Sequence, residues 1–315
     1  MPPKRQTQSY LRELFARHGI APLHRYGQNF LIDLNIHELI VDAAEVGPGD
    51  VVLEVGPGAG ALTSLMAERG AAVLAVDIDP SMARLAAEAT AGMPNVRVLN
   101  ADALAGKNTL NPEVLDNVRA GLAAAPGRAF KLVANLPYNV ATPIVGNLLV
   151  HPEFRPERMV VTIQKELADR MLAPPAAGAY GALSVTCQAL ADVTLVRTLP
   201  PSVFWPRPKV DSAVVKLVPD PAKRTAIGDL DWFHSVVRRV FLHRRKNLRS
   251  VLSSLYRDRL TKPEVDALLE SLGLEGGVRA EAMDVEELIA LAAALKDRLG
   301  EAAGPGEDAA GRGRP

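Results

Sequence analysis

The residues with the most distinctive chemistry are Asn135-Leu136-Pro137-Tyr138, which directly follow a short strand-like run at 131–134. An amino group on an adenine-like ring is a poor nucleophile, because its lone pair is delocalised into the ring. The Asn135 oxygen and a backbone carbonyl of Leu136 or Pro137 could accept its two N–H bonds, and the Tyr138 ring offers a face for stacking. The alternative is a strand-to-loop turn in which Asn and Pro serve backbone geometry alone. These four residues leave both interpretations open.

A second set of residues is typical of a nucleoside pocket. The glycine run 56–60 follows an apolar strand at 51–55, and Asp77 closes the next strand about 20 residues further on. Glycines let a backbone approach a ligand closely, and an acid at this point can accept both hydroxyls of a ribose, although Asp79 competes for that role. The pattern fits a dinucleotide as well as a methyl donor.

Asp102 is the residue that distinguishes a methyl donor from a dinucleotide. It follows the third strand, where a carboxylate could accept the amine of a stacked adenine. The competing interpretation of Asp102 is a helix N-cap. A dinucleotide enzyme would also need a hydride-transfer constellation such as Tyr-x-x-x-Lys, which the sequence lacks.

Composition limits the class of protein. The chain has 315 residues, 48% of them hydrophobic, and a mean hydropathy of +0.07, so we expect one large domain and a smaller one. No apolar run approaches the roughly 20 residues that span a bilayer, and no apolar stretch follows the basic start at 1–5. The single cysteine, Cys187, excludes an internal disulfide. We therefore expect a cytoplasmic protein with no membrane partner.

The order of the elements predicts an α/β fold. Strands at 51–55, 72–76, 96–99, 131–134 and 159–163 alternate with helices, which indicates a doubly wound parallel sheet with ligands at its carboxyl edge. Two later strand-like runs, 193–198 and 212–218, are interpreted as an antiparallel hairpin at the sheet edge. The stretch 106–127 is interpreted as an added loop, and a polar segment over 164–171 follows the fifth strand.

The chain becomes purely helical further on. Helical patterns at 232–242, 246–256, 263–272 and 285–299 predict a separate domain over 226–299, after a first domain over 1–225. The tail 300–315, rich in Gly, Ala, Pro and charge, is expected to be disordered.

Basic residues cluster in the helical part although the formal net charge is zero. Between Arg238 and Lys262 the only acid is Asp258. Such clustering favours a surface for RNA phosphates over an ordinary solvated helix face. The residues we predict to contact RNA are Lys165, Arg170, Arg244, Arg245, Lys246 and Arg249. Lys165 and Arg170 would extend the surface along the loop after the fifth strand.

Six motifs in one order carry a family resemblance. They are Gly27-Gln28-Asn29-Phe30-Leu31, the glycine run with Asn100-Ala101-Asp102, Asn135-Leu136-Pro137-Tyr138-Asn139, Gln164-Lys165-Glu166, the segment 180–185 and the segment 203–212. From Tyr10 to Leu299 the chain resembles the adenine dimethyltransferases of small-subunit ribosomal RNA. It is also similar to the erythromycin-resistance methylases, but the segment 203–212 and the helical domain with the stretch 241–246 are closer to the small-subunit group.

The resemblance implies a Rossmann-like class I methyltransferase that uses S-adenosylmethionine. Its reaction would be dimethylation of N6 on two adjacent adenosines, in a hairpin loop near the 3′ end of 16S RNA, within the small ribosomal subunit. The enzyme would act as a monomer, without a metal, and would also serve subunit biogenesis.

The resemblance also implies roles for individual residues. The cofactor contacts would be Asn29, Leu31, Gly56, Asp77, Asp102 and Asn135. The catalytic set would be Asn135, Pro137, Tyr138 and Phe204. Tyr138 and Phe204 would hold the target adenine between their rings, with Phe204 on an exposed loop stiffened by Pro206 and Pro208. The family commonly has Glu where this chain has Asp77.

Three other functions stay open from the sequence. A ribosome-assembly factor could keep the fold as an RNA-binding module without turnover. An oxidoreductase that uses NAD would bind nicotinamide cofactor instead of a methyl donor. A DNA adenine methylase shares the Asn-x-Pro-Tyr chemistry, and only the family resemblance separates it from an RNA enzyme.

Overall fold

The computed structural model describes residues 6–20, 28–106 and 109–300. Its chain forms two compact units. The first runs to Asp169 and resumes over Ala191–Pro219, and the second comprises Arg170–Leu190 and the chain from Asp220 onward. Of the predicted disordered tail, all but Gly300 lies outside the described residues.

The first unit is built on a seven-stranded sheet. Its strands, in spatial order, are β4 (Val96–Asn100), β3 (Ala72–Asp77), β2 (Asp50–Val55), β7 (Ala129–Asn135), β8 (Arg158–Gln164), β11 (Ser212–Pro219) and β9 (Ala191–Leu199). The first five run parallel, and β11 pairs antiparallel with both β8 and β9. This order confirms the predicted parallel sheet and its antiparallel edge.

Helices cover both faces of this sheet. The helices of the first unit are α1 (Gln8–His18), α2 (Leu34–Ala43), α3 (Ala61–Glu68), α4 (Pro80–Ala89), α5 (Pro112–Ala123) and α6 (Ala141–Val150). The next helix, α7 (Lys165–Leu172), begins in the first unit and ends in the second. Val52 packs in one buried cluster with residues of α2 and α3, whereas a Cβ on Gly121 of α5 would lie 3.0 Å from Val51. Because successive strand residues point to opposite faces, α5 covers the other side. The predicted α/β fold class is therefore confirmed.

The stretch 106–127, interpreted above as an added loop, is mostly the crossover helix α5. The Asn111 side chain accepts the Glu113 N–H as the N-cap of α5, and Pro112 occupies its first turn. Both residues are typical of a helix N-terminus. Before α5, β5 (Leu104–Gly106) and β6 (Thr109–Leu110) form a short antiparallel pair. The interpretation as a loop was wrong, because α5 packs against β2, β3 and β7 as a doubly wound fold requires.

A short ribbon outside the main sheet joins distant parts of the chain. In it β1 (Phe30–Leu31) pairs antiparallel with β10 (Phe204–Trp205), so that Leu31 lies opposite Phe204. The rings of Phe30 and Trp205 lie 6.4 Å apart, and both contact Phe15 of α1. The ribbon fixes the segment that begins at Gln28.

The second unit is helical. Its elements are α8 (Ala182–Leu190), α9 (Pro221–Ile227), α10 (Leu230–Phe241), α11 (Leu248–Leu255), α12 (Lys262–Ser271) and α13 (Val285–Leu299). Capping boxes start α12 at Thr261 and α13 at Asp284. The Trp232 indole N–H donates to the Ala292 carbonyl at 2.7 Å and ties α10 to α13.

The unit boundaries differ from those predicted from the sequence. The residues 170–190, placed in the first domain above, belong to the second unit because α8 packs against α9, α10 and α13. The Tyr180 hydroxyl donates to the Met283 carbonyl in the same unit at 2.9 Å. The predicted boundary at 225 falls inside α9. The segment 164–171, expected as a loop, is largely α7.

Candidate active site

One cavity collects most of the predicted site residues. It lies at the carboxyl ends of β2, β3, β4 and β7, where the loops of a parallel sheet converge. The predicted residues that line it are Asn29, Gly56, Asp77, Asp102, Asn135, Pro137 and Tyr138. Leu31 and Phe204 are not among the lining residues.

Gly56 lets two of these loops approach each other. Its φ is +79°, which is favourable for glycine alone, and a Cβ there would lie 3.0 Å from the Pro137 ring. Gly58 meets the same restriction, because its added Cβ would lie 2.9 Å from the Phe30 ring. The glycine run therefore shapes the floor of the cavity.

Asp77 presents a buried carboxyl group to the cavity. Burial raises its pKa to about 6, with a further contribution from the charge of Asp79, while backbone N–H donors at Asp79 and Gly58 act in the opposite direction. The Asp77 Oδ1 accepts the Asp79 N–H at 2.9 Å. The carboxyl group therefore changes charge close to neutral pH.

Asp79, the competing acid, has another task. Its side chain caps α4 by accepting the Ser81 N–H, and its other oxygen accepts the Gln28 amide at 2.9 Å. Asp79 does not line the cavity. Asp77, and not Asp79, is therefore the acid that can meet a ligand in the cavity.

Asp102 is exposed at the cavity edge and does not cap a helix. Its Oδ1 accepts the Leu104 N–H at 2.9 Å, and a strand follows it. The Asn100 side chain donates to the Asp77 carbonyl at 2.8 Å and so ties the end of β4 to that of β3. The two carboxylates are thereby held on neighbouring strand ends.

Asn135 is the last residue of β7, and its orientation is fixed by a distant segment. Its Nδ2 donates to the Asn29 carbonyl at 2.9 Å, which leaves Oδ1 as the acceptor on the other arm of the amide. The Pro137 carbonyl accepts the Val140 N–H at 3.1 Å within a tight turn. Of the two carbonyls considered above, that of Leu136 is the better placed to accept a further N–H.

Tyr138 is partly buried, and its hydroxyl lies 2.7 Å from the Ser212 hydroxyl. Burial raises the pKa of Tyr138, and the bond to Ser212 opposes that rise. Ser212 begins β11 and is itself fully buried. Ser212 has no predicted role, although it lies in the motif at 203–212; the pairing of β11 with β8 brings it to Tyr138.

Phe204 and Leu31 were predicted to contact ligands, but both side chains lie outside the cavity lining. Phe204 is 1% exposed and packs with Leu31 in the apolar cluster that contains α2 and α3, so the predicted exposed loop is wrong at this residue. Their pairing across the ribbon points both side chains away from the cavity. Because strand side chains alternate, the neighbouring Phe30 lines the cavity instead.

Comparison with known proteins decides the family. The family model described as "Ribosomal RNA adenine dimethylase" matches residues 23–296. A "Ribosomal RNA small subunit methyltransferase A" from Moorella thermoacetica is 40% identical over 281 residues, covering 88% of this chain and 94% of that protein. The chain belongs to the ribosomal RNA adenine dimethylase family.

Other similar proteins support the same family. The protein of the same name from Pelotomaculum thermopropionicum is 40% identical, covering 94% of this chain and 98% of its own. A dimethyladenosine transferase from Plasmodium falciparum superposes with a TM-score of 0.68 at 25% identity, over 82% of this chain and 94% of that one. The 23S rRNA methyltransferase ErmE superposes with 0.58 at 28% identity, over 86% and 99%. The predicted family and its methyltransferase fold are thus confirmed.

Two residues near Asp77 were not predicted from the sequence: Ile78, which lines the cavity, and Glu54, which does not line it but interacts with the Asp77 charge. Ile78 follows Asp77 and keeps 45% of its surface exposed inside the cavity, which gives a planar ligand an apolar wall. Glu54, one residue before the end of β2, is 1% exposed and accepts the Thr63 hydroxyl at 2.5 Å. Burial raises the pKa of Glu54 to about 8. An acid inside an apolar strand was the available signal for Glu54.

The basic residues of the dimethylase fall into two groups. Arg244 donates to the carbonyls of Gly178 and Tyr180, Arg249 binds Asp266 through two nitrogens, and Lys165 binds Asp169. Within the described part of the chain, the side chains of Arg170, Arg245 and Lys246 have no such partner. Lys165 and Arg170 lie on α7 and not on a loop.

Over 6–20, 28–106 and 109–300, no three His, Cys, Asp or Glu side chains form a group that could hold a metal ion. Within the same ranges, no helix has the length and apolar character needed to cross a bilayer.

Proposed function

We propose that this chain dimethylates N6 of two adjacent adenosines in a hairpin loop near the 3′ end of 16S RNA, within the small ribosomal subunit. Family membership supports the reaction class, and the name of the relatives, which refers to the small subunit, supports that subunit as substrate. The observation that carries the proposal is the Asn135–Asn29 hydrogen bond, because it turns the Asn135 oxygen into a fixed acceptor at the cavity.

The cavity residues fit S-adenosylmethionine. Asp77 offers a buried carboxylate for ribose hydroxyls, Asp102 an exposed acceptor for an adenine amine, and Ile78 an apolar surface in the same cavity. The glycine run leaves room that a Cβ would fill. Asn29 and Gly56 complete the set we assign to the cofactor. When bound, S-adenosylmethionine supplies a methyl group on a positively charged sulfur.

The chain's own residues then hold the substrate amine. Asn135 Oδ1 and the Leu136 carbonyl accept its two N–H bonds, which directs the nitrogen lone pair out of conjugation with the ring. Tyr138 stacks on the base, worth about 1–3 kcal/mol and enough to offset much of the cost of removing it from the RNA stack. Pro137 keeps the turn rigid between them. Positioning of this kind is the main contribution a direct displacement needs from a protein.

Phe204 has no stacking role in this proposal, since its ring is buried in the apolar cluster. It serves instead to hold the β1–β10 ribbon and through it the Asn29 carbonyl. RNA contact is assigned to Arg170, Arg245 and Lys246, whose side chains have no partner in the described ranges. We also propose that the chain acts as a monomer.

The substrate is tested by offering tritiated S-adenosylmethionine to small ribosomal subunits that lack the modification, to free 16S RNA and to duplex DNA. We expect transfer to the subunits, none to DNA, and a loss of at least about a hundredfold in Asn135→Ala, as for removal of one transition-state acceptor or donor. Transfer to DNA instead of RNA would contradict the proposal and indicate a DNA adenine methylase. Wild-type rates in Asn135→Ala would remove Asn135 from the mechanism.

A further inference from the structure

The turn after α10 exposes an apolar side chain among cations. Leu242 keeps 77% of its surface exposed, and of the large apolar side chains in the described ranges it is the most exposed. An exposed leucine contributes little to folding, because its apolar surface stays in water. A single exposed leucine is ordinary on a protein surface, so it is the position of Leu242 among cations that suggests an interaction.

The turn holds Leu242 rigidly. Its N–H donates to the Arg238 carbonyl at 3.2 Å, and the Lys246 N–H donates to the His243 carbonyl at 2.8 Å. Within the same unit, Arg244 anchors the turn to the carbonyls of Gly178 and Tyr180. The Phe241 ring packs edge-on against Tyr180 at 5.8 Å. Leu242 is thus presented on a preformed surface and loses little entropy when it binds.

The surroundings of Leu242 are strongly basic. From 232 to 257 the chain carries seven Arg and Lys residues and no acid. Arg238 precedes Leu242 by one helical turn, and Arg245 and Lys246 follow it; all three are exposed, with side chains unpaired in the described ranges. This charge complements a phosphate backbone.

We propose that Leu242 is an apolar wedge that packs against ribose or base faces in the shallow minor groove of the RNA, while Arg238, Arg245 and Lys246 hold the flanking phosphates. The inference rests on the proposed function and adds a contact that does not depend on charge. One apolar side chain among cations favours RNA over a lipid surface, which needs a broad apolar helix face.

Salt dependence separates the wedge from the phosphate contacts. Loss of a phosphate contact lowers affinity and also reduces the slope of log K against log salt, by about 0.7–0.9. Loss of an apolar contact lowers affinity at every salt concentration and leaves the slope unchanged. The test is therefore to measure binding to undermodified small subunits by co-sedimentation of the labelled protein over a series of salt concentrations.

Leu242→Ala should weaken binding about tenfold with the wild-type slope. Arg245→Ala should weaken binding and lower the slope. Leu195→Ala removes another exposed leucine, one that is 42% exposed and lies on β9, and should bind like wild type. Circular dichroism checks that each variant is folded.

Wild-type affinity of Leu242→Ala overturns the wedge, as does a loss accompanied by a lower slope. Retained RNA affinity with loss of binding to phosphatidylserine vesicles would assign the surface to lipid and overturn it too. If the wild-type protein neither binds nor methylates the subunits, the proposed function fails first. If it methylates them and Leu242→Ala is normal, this inference alone fails.

Discussion

At the scale of single residues, Asp77 links the cavity to pH. Its pKa is raised to about 6 by burial, so the carboxylate that would accept ribose hydroxyls is lost as the pH falls through this value. At pH 5 roughly one-tenth of the protein would be ionised at Asp77, and affinity for S-adenosylmethionine should be about tenfold weaker than at pH 8.

Calorimetric titration at several pH values measures this dependence. Asp77→Asn is the matched variant: it keeps the shape, lacks the titrating proton, and should bind more weakly with a flat pH profile from 5 to 8. An identical pH dependence in wild type and Asp77→Asn would assign the proton to another group, with buried Glu54 as the first alternative.

The hydrogen bond between Tyr138 and Ser212 positions an aromatic ring at the cavity. Their hydroxyls lie 2.7 Å apart, so Ser212 orients the ring that would stack on the adenine. Ser212→Ala and Tyr138→Phe each remove this one bond, worth about 1 kcal/mol, and should each lower kcat about fivefold.

The pair is tested by a double-mutant cycle on methyl-transfer rates. Because both substitutions remove the same bond, the double variant should lose little more than either single variant. Tyr138→Ala also removes the ring and should raise KM for the RNA. Losses that multiply in the double variant would mean that the two hydroxyls act independently.

At the scale of elements, the loop after β2 depends on glycine. Gly56→Ala places a Cβ 3.0 Å from the Pro137 ring at a φ of +79°. We expect S-adenosylmethionine binding to fall at least tenfold in equilibrium dialysis, because the loop or the turn at 135–138 must shift.

Gly146→Ala is the control for Gly56→Ala. Gly146 lies inside α6 and an added Cβ there meets nothing within 4 Å, so this change should stabilise the fold by about 0.5–1 kcal/mol and leave binding unchanged. Normal cofactor binding by Gly56→Ala would show that the close approach to Pro137 is dispensable.

At the end of the strands away from the cavity, two central strands of the sheet are joined by an ion pair. Lys131 on β7 donates to Asp50 on β2 at 2.9 Å, and both side chains are buried at 6% and 7% exposure. Asp50→Asn leaves a buried ammonium without its counter-charge and should lower the free energy of unfolding by about 3–5 kcal/mol.

Urea denaturation measures the effect of Asp50→Asn. Asp169→Asn breaks the exposed Lys165–Asp169 pair and should change stability only slightly. Equal effects from the two substitutions would contradict the assignment of Lys131–Asp50 as the pair that matters for stability.

The sequence alone could predict which residues meet at the strand ends, but it could not predict the pairing of β1 with β10. Gly56, Asp77, Asp102 and Asn135 each terminate an apolar run, and the carboxyl ends of parallel strands must converge, so their meeting follows from local pattern alone. The pairing of Leu31 with Phe204 joins residues far apart in the chain and has no local signal. The direction of the Phe204 ring therefore could not be predicted.

At the scale of the whole molecule, zero net charge conceals a local basic surface. The structure divides its arginines by their partners: Arg249 binds Asp266, whereas the Arg245 side chain has no partner in the described ranges. The sequence could predict the cluster but not this division, because Asp266 lies one helix further along.

Salt titration of RNA binding distinguishes the two kinds of arginine. Arg245→Ala should lower the slope of log K against log salt by about 0.7–0.9, and Arg249→Ala should leave it close to wild type because its guanidinium is committed to Asp266. A reduced slope in Arg249→Ala and none in Arg245→Ala would reverse the assignment.

The most direct test of the central claim is to identify the modified nucleoside. Small ribosomal subunits that lack the modification are incubated with S-adenosylmethionine and the protein, the 16S RNA is digested, and the nucleosides are quantified by mass spectrometry. We predict N6,N6-dimethyladenosine at close to two per subunit with the wild-type chain and about a hundredth of that amount or less with Asn135→Ala over an incubation in which the wild-type reaction just reaches completion. Methylation at another position of adenine, on another base, or equal product from both proteins would contradict an Asn135 that holds the adenine N6 amine.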